Sequence, residues 1–283
     1  GAFGTRAMHE VEAAESIGEK HLRLVGSIGF FRASRFILPS GTNEWRNNRL
    51  GVVWAFKGLD LGLSARMVSN FHSAIKDGPS SQIQGDPTLL AKYSYELVPQ
   101  FSVGSKLQIL IPTSEMGTGL APQASALTLG ALATYRPLVY IDLSLNVGYV
   151  LDATKNIYRQ KAEKLHPVSR FVSGIWDMNH LQLGLSVESK LPWIEWLRAT
   201  EVGLEARADI GQGVSAKDNA ILMTPVLKYF FSNPALEVAF GMDLRLSGAP
   251  RLGAFVPGIP PWAAFLQLAW QLETEKPEPL TII

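Results

Sequence analysis

The stretch that decides the fold is Leu138–Asp152, LVYIDLSLNVGYVLD. Val139, Ile141, Leu143, Leu145, Val147, Tyr149 and Leu151 fall on one parity. Tyr140, Asp142, Ser144, Asn146, Gly148, Val150 and Asp152 fall on the other. Successive strand side chains point to opposite faces, so one face is apolar and the other carries acids, amides, hydroxyls and glycine. The alternation far outruns the usual strand of about 5–6 residues.

The pattern recurs on both sides. Leu181, Leu183, Leu185 and Val187 oppose His180, Gln182, Gly184, Ser186, Glu188 and Lys190. Val202, Leu204, Ala206, Ala208 and Ile210 oppose Glu201, Gly203, Glu205, Arg207 and Asp209. Leu236, Val238, Phe240, Met242, Leu244 and Leu246 oppose Glu237, Ala239, Gly241, Asp243 and Arg245, and Phe101–Ile111 alternates in the same way. A soluble sandwich also alternates. These strands, however, have the length of about 9–11 residues or more that a tilted membrane strand requires.

Twelve strands are expected, near 20–37, 48–57, 60–75, 88–98, 101–113, 124–135, 138–152, 178–191, 198–210, 219–231, 235–247 and 262–273. Ten or fourteen remain open, because Ala153–Asp177 has room for a further hairpin through Arg170–Trp176 and Pro225 interrupts the tenth strand with a bulge or register change. Links after even-numbered strands are short: Gly58-Leu59, Pro99-Gln100, Arg136-Pro137 and Ser232–Pro234. Links after odd-numbered strands, such as Pro39–Asn47, Lys76–Pro87 and Gly248–Pro261, are long and polar or glycine-rich. Short turns at one rim and long loops at the other are the layout of outer-membrane barrels. The expected fold is therefore all-β: a transmembrane antiparallel up-and-down β-barrel in a bacterial outer membrane, with both termini periplasmic. Phe30, Trp54, Phe56, Phe71, Tyr93, Tyr95, Tyr135, Tyr229, Phe231 and Trp270, near strand ends, suit interfacial girdles.

Composition agrees. Of 283 residues, 47% are hydrophobic and only 18% charged, against about 25% in soluble domains. A net charge of +1 gives no long-range field for nucleic acid. With no cysteine, disulfides, thiolate metal sites and cysteine nucleophiles are excluded. No apolar run approaches the roughly 18 residues of a membrane-spanning helix. An opening at Gly1 without a charged-then-apolar leader is expected of a chain whose signal peptide has been removed.

Three units follow: 1–19 as an amino-terminal periplasmic or lumen segment, 20–273 as the barrel, and 274–283 as a periplasmic linker or tail. Within the first, RAMHEVEAAESIG (Arg6–Gly18) has helical propensity, and either a lumen plug or a leader below the first strand fits it. Trp193 and Trp196, in PWIEWL, are expected at the lipid headgroups. The closing strand WAAFLQLAWQLE followed by EKPEP resembles the amino-terminal barrels of OmpA-family proteins, where such a linker leads to a peptidoglycan-binding domain.

The polar parity faces the lumen. Its bases are Arg23, Arg66, Lys92, Lys106, Lys190, Arg207, Lys228 and Arg245, and its acids include Glu96, Asp142, Asp152, Glu188, Glu201, Glu205, Asp209, Glu237 and Asp243. The signs nearly balance, which fits an ion-paired filling or a weakly selective polar channel rather than a ring of one sign. A paired lumen network is expected from Lys190, Glu201, Glu205, Arg207, Asp209, Lys228, Asp243 and Arg245, since an unpaired charge in a dry lumen is very costly.

No catalytic chemistry is expected. His72 and Ser73 are adjacent in a strand, so their side chains diverge. The five histidines lack zinc-site spacing, Asp77, Asp86 and Glu115 lack calcium-loop spacing, and Gly117–Gly119 precedes no helix. Neither metal nor cofactor is expected. The first functional expectation is a structural or anchoring barrel in an envelope assembly, in contact with outer-membrane lipid and with periplasmic or outer-membrane protein partners. The alternative is a weakly selective porin-like channel for small polar solutes.

Overall fold

The computed structural model describes residues 10–36, 38, 40–74, 80–84, 87–111, 125–153, 179–191, 194, 197, 199–211, 219–231, 235–247 and 260–273. Within them lie β1 (His21–Ser34), β2 (Thr42–Phe56), β3 (Leu59–His72), β4 (Ser80–Gln84), β5 (Thr88–Val98), β6 (Phe101–Leu110), β7 (Ala126–Leu138), β8 (Ile141–Asp152), β9 (His180–Lys190), β10 (Thr200–Gly211), β11 (Ala220–Phe231), β12 (Leu236–Ser247) and β13 (Trp262–Glu273), with no α-helix. Every strand except β4 joins one antiparallel ring, closed by the β1–β13 and β3–β5 ladders. The fold is thus a closed twelve-strand barrel. Closure satisfies every backbone ladder and leaves no open edge for lipid to desolvate.

Burial runs inside out. In β8, Leu145, Val147, Tyr149 and Leu151 are exposed, whereas Ser144, Asn146, Gly148, Val150 and Asp152 are buried. In β13, Leu266, Leu268 and Trp270 are exposed around buried Gln267 and Ala269. Such an exterior would be insoluble in water and is at home in hydrocarbon. Trp54, Phe56, Tyr93, Tyr95, Tyr135, Tyr229, Phe231 and Trp270 point outward toward the short-turn rim, and Phe30 and Phe71 toward the opposite one. These are the two interfacial girdles.

The short-turn rim shows why those links are tight. Lys57 and Gly58 join β2 to β3 with φ of 48° and 80°. Two consecutive positive φ values define the type I′ turn, whose twist matches the strands it connects. Pro99-Gln100 joins β5 to β6.

Several boundaries differ from those read in the sequence. Leu138 ends β7, and Val139-Tyr140 form the turn, three residues beyond the Arg136-Pro137 expected from the sequence. A register shift between Tyr135 and Leu138 absorbs Pro137, which has no N–H to give the ladder. Strand β2 begins at Thr42 rather than near 48, so Asn43, expected in a long loop, is fully buried opposite His72. The link Lys76–Pro87 contains β4, which pairs with Met67–Phe71 of β3 above the point where β5 stops.

Pro225 does not shift the register. The β11–β12 ladder merely lacks partners for Thr224 and Pro225, and its irregularity lies at Ile221/Leu222. The hairpin considered at Arg170–Trp176, the tail at 274–283, and Trp193 and Trp196 lie outside the described residues. Within PWIEWL, Ile194 N donates to Leu191 O (3.3 Å) and Leu197 N to Ile194 O (2.9 Å).

Candidate functional site

Glu10–Gly18 runs through the middle of the ring as a strap. It contacts strands on every side, which only a segment inside the barrel can do. It is not helical, although its composition favours a helix. Its backbone is spoken for by the wall: Glu10 N and Val11 N donate to Glu205 Oε2 (3.0 Å each) and Ala14 N to Thr134 Oγ1 (2.8 Å). Ala13 O and Glu15 O accept from Lys92 Nζ at 3.2 and 2.6 Å, and Ile17 O accepts from Gln271 Nε2 (3.3 Å). Asn146, with its amide oriented to satisfy both groups, donates to Glu12 O (2.7 Å) and accepts from Glu12 N (2.6 Å). In a narrow lumen these side-chain partners replace the i→i−4 bonds of a helix. Gly184 makes room for the crossing, since a Cβ there would stand 2.8 Å from Val11 Cγ2.

The strap's carboxylates all face one wall. Glu10 reaches Arg49 of β2 (3.5 Å), Glu12 reaches Lys106 of β6 (3.2 Å), and Glu15 reaches Arg136 at the end of β7 (2.9 Å). Ser16 donates to Asp60 of β3, which also pairs with Lys92 of β5 at 3.2 Å. Arg49, Arg66, Lys92, Lys106 and Arg136 therefore form a basic arc over β2–β7. Opposite it, on β9–β12, Glu188, Glu201, Glu205, Asp209, Glu237 and Asp243 outnumber the bases Lys190, Arg207, Lys228 and Arg245, while Asp142 of β8 pairs directly with Arg136 (2.9 Å). The overall balance of charge conceals this separation. Taking the charges in strand order, rather than summing them, would have exposed it.

The eight residues expected to form one network divide. Arg207 bridges Glu205 (3.1 Å) and Asp243 (3.2 Å), and Asp243 also accepts from Thr224 Oγ1 (2.6 Å). Lys228 pairs with Glu188 across β10 (2.7 Å), and Lys190 lies 3.9 Å from Glu201. Beside Lys228, Glu237 takes Arg23 of β1. Asp209 sits beside Gln182 without an ion pair to Arg207, and Arg245, at the β12 irregularity, makes none with Asp243. The expected network left out Arg23, Arg49, Asp60, Lys92, Lys106, Arg136, Asp142, Glu188, Glu237 and the strap carboxylates. Asp60 and the strap lie far from β9–β12 in sequence, and only closure of the ring brings them in.

Among the described residues, three cavities flank the strap. One of about 270 Å³ is lined by Glu10, Glu12, Lys106, Gln182, Arg207 and Asp209. A second, of about 280 Å³, lies toward the long-loop rim on the β1–β3 side, and a third of about 440 Å³ lies toward the short-turn rim beside Arg23, Lys228 and Glu237. The strap thus narrows the bore without filling it. His72 and Ser73 do not meet: His72 Nδ1 accepts from Ala74 N (3.2 Å), and Ser73 Oγ accepts from Thr42 N (2.8 Å). Among the described residues, no cluster of potential metal ligands occurs.

No family model and no curated protein matches this sequence. Several solved structures of like fold are outer-membrane channels. The COG4313 outer membrane channel from Pseudomonas putida F1 superposes with a TM-score of 0.60 at 11% identity, over 92% of this chain and 98% of that one. The NanC porin gives 0.54 at 12% identity over 88% and 100%, and the KdgM porin 0.52 at 9% over 87% and 98%. At these identities the likeness shows the fold alone, a closed antiparallel β-barrel like those of outer-membrane proteins. It gives no specific support to the OmpA-family resemblance drawn from the closing strand and EKPEP.

Proposed function

We propose that this chain is a porin-like channel of the outer membrane for small polar solutes, with both termini on the periplasmic side and the strap restricting its bore. One observation carries the reading: polar and charged cavities persist on each side of the strap, inside a barrel whose exterior is apolar. A barrel serving only as an anchor, the first expectation from the sequence, has no need of such spaces. The fold shared with channel proteins supports the same choice, and no catalytic step belongs to it. In planar bilayers the full chain should show small, discrete conductance steps. A variant lacking residues 1–18 should conduct several-fold more. Silence from both variants, in preparations that are folded by gel mobility, would favour the anchoring role.

A second reading has its own observation. At the long-loop end, Phe31, Phe36, Val68 and Ala263 form a buried apolar cluster, with Trp45 and Trp262 packed against it. Phe31 and Trp45 are inward residues of β1 and β2, so this cluster faces the lumen and favours a solute with an apolar part.

A further inference from the structure

Arg49 of β2 and Arg66 of β3 are direct partners in the ladder, and both point into the lumen. Like charges directly across a strand pair repel one another. The two are relieved differently. Arg49 has Glu10 at 3.5 Å. Arg66 donates from Nε to Asn47 Oδ1 (2.8 Å) and lies 5.8 Å from the ring centroid of Trp45, with no carboxylate in ion-pair distance among the described residues. A guanidinium has five donor hydrogens in a planar fork. Among the described residues, one of Arg66's five is taken, by Asn47, and the four on its Nη atoms are left for whatever fills the adjoining cavity.

That cavity, about 280 Å³, is lined by Arg49 and Arg66 together with Trp45, Asn47, Ser27 and Glu10, among others. It lies just below the common range of about 300–1,000 Å³ for small-molecule sites. Arg207 borders the same space from the far wall, where Glu205 and Asp243 pair with it. Arg66 is the guanidinium of this lining with no carboxylate at ion-pair distance among the described residues.

We propose that Arg66 and Arg49 bind a carboxylate group of a small organic acid within the lumen, with Asn47 and Trp45 holding the Arg66 fork in place. The strap itself shows the chemistry, because Glu10 already presents a carboxylate to one member of the pair. Arg66 offers a free two-pronged edge that suits a second carboxylate, and such charge-assisted paired hydrogen bonds are the strong ones. A bound acid would also compete with Glu10 for Arg49 and so loosen the upper end of the strap. The site names a solute class for the channel reading and rests on that reading for how the solute arrives. Binding itself can be read whether or not the barrel conducts.

The test is thermal unfolding of the full chain in zwitterionic detergent, titrated with succinate and, at matched ionic strength, with sodium chloride and with inorganic phosphate. Succinate should raise the midpoint saturably, by linkage to the folded state, and beyond any effect of chloride. Arg66→Gln should weaken the apparent affinity at least tenfold, Arg66→Lys should weaken it less, and Arg46→Gln, on the outward face of β2, should leave it unchanged. Without ligand, Arg66→Gln should unfold no earlier than the parent, since it removes a like-charge contact; loss of response would then not reflect misfolding. An equal succinate response in Arg66→Gln, an equal effect of chloride, or a response to phosphate alone would each overturn the assignment. Conductance without succinate binding would remove this site and leave the channel; binding without conductance would do the reverse.

Discussion

Leu145→Arg should abolish assembly of the barrel into lipid vesicles, while Gln182→Arg on the adjacent strand should assemble normally. Leu145 lies near the middle of β8 and is 49% exposed on the apolar exterior. An arginine at the bilayer midplane of a barrel costs roughly 2–4 kcal/mol. That is a large part of the roughly 5–15 kcal/mol by which a typical domain is stable. The side chain of Gln182 instead lines the lumen cavity, beside Asp209, where a cation meets water and a carboxylate. The readout is the heat-modifiable folded band on unboiled gels. Equal tolerance of arginine at both positions would contradict the inside-out arrangement.

Asp60→Ala should give the largest loss of stability among the lumen substitutions. Asp60 and Lys92 are 3.2 Å apart and both are fully enclosed. Removing one partner of a buried ion pair costs about 3–5 kcal/mol, because the remaining charge keeps its desolvation penalty without its compensation. The carbonyls of Ala13 and Glu15 would still receive Lys92, which offsets part of that loss. Replacing both charges, as in Asp60→Ala with Lys92→Met, should recover much of it, since a well-packed apolar pair is often neutral relative to the ion pair it replaces. Urea unfolding from vesicles measures both variants. A double variant no more stable than Asp60→Ala would show that Asp60 acts through Ser16 and the strap rather than through Lys92.

The barrel was legible in the sequence wherever a strand lies within the hydrocarbon, because only there must one parity be apolar. Leu143–Leu151 and Val202–Ile210 are of this kind. The reading failed where that constraint lapses. Thr42–Asn47 continues β2 toward the long-loop rim with Glu44 and Arg46 on its outer face and Asn43 and Asn47 on its inner one. With a polar outer face and Trp45 the one apolar residue on the inner face, no apolar parity marks it as a strand. Leu138–Tyr140 failed for the opposite reason: Val139 keeps the apolar parity of β8 while standing in a turn, 93% exposed.

The lumen was legible as a polar face but not as a site. Parity assigns Arg207, Glu205 and Asp243 to the interior, yet their grouping depends on ladder register, which the sequence does not display. The strap was the least legible element. Its local propensity is helical, and its actual conformation is imposed by Glu205, Thr134, Lys92 and Asn146, all distant in the chain.

The claim that the strap lies inside the closed barrel is tested most directly by a disulfide. Ala14 N is 2.8 Å from Thr134 Oγ1, and bond lengths alone then hold the two Cα atoms within about 7 Å, the reach of a disulfide. The chain contains no cysteine, so the background is clean. In the double variant Ala14→Cys with Thr134→Cys, folded into vesicles and mildly oxidised, the account predicts near-complete cross-linking, seen as a mobility shift of the denatured chain that reductant reverses. The single variants should show none. Free thiols at both positions in a barrel that is folded and oxidised would contradict it.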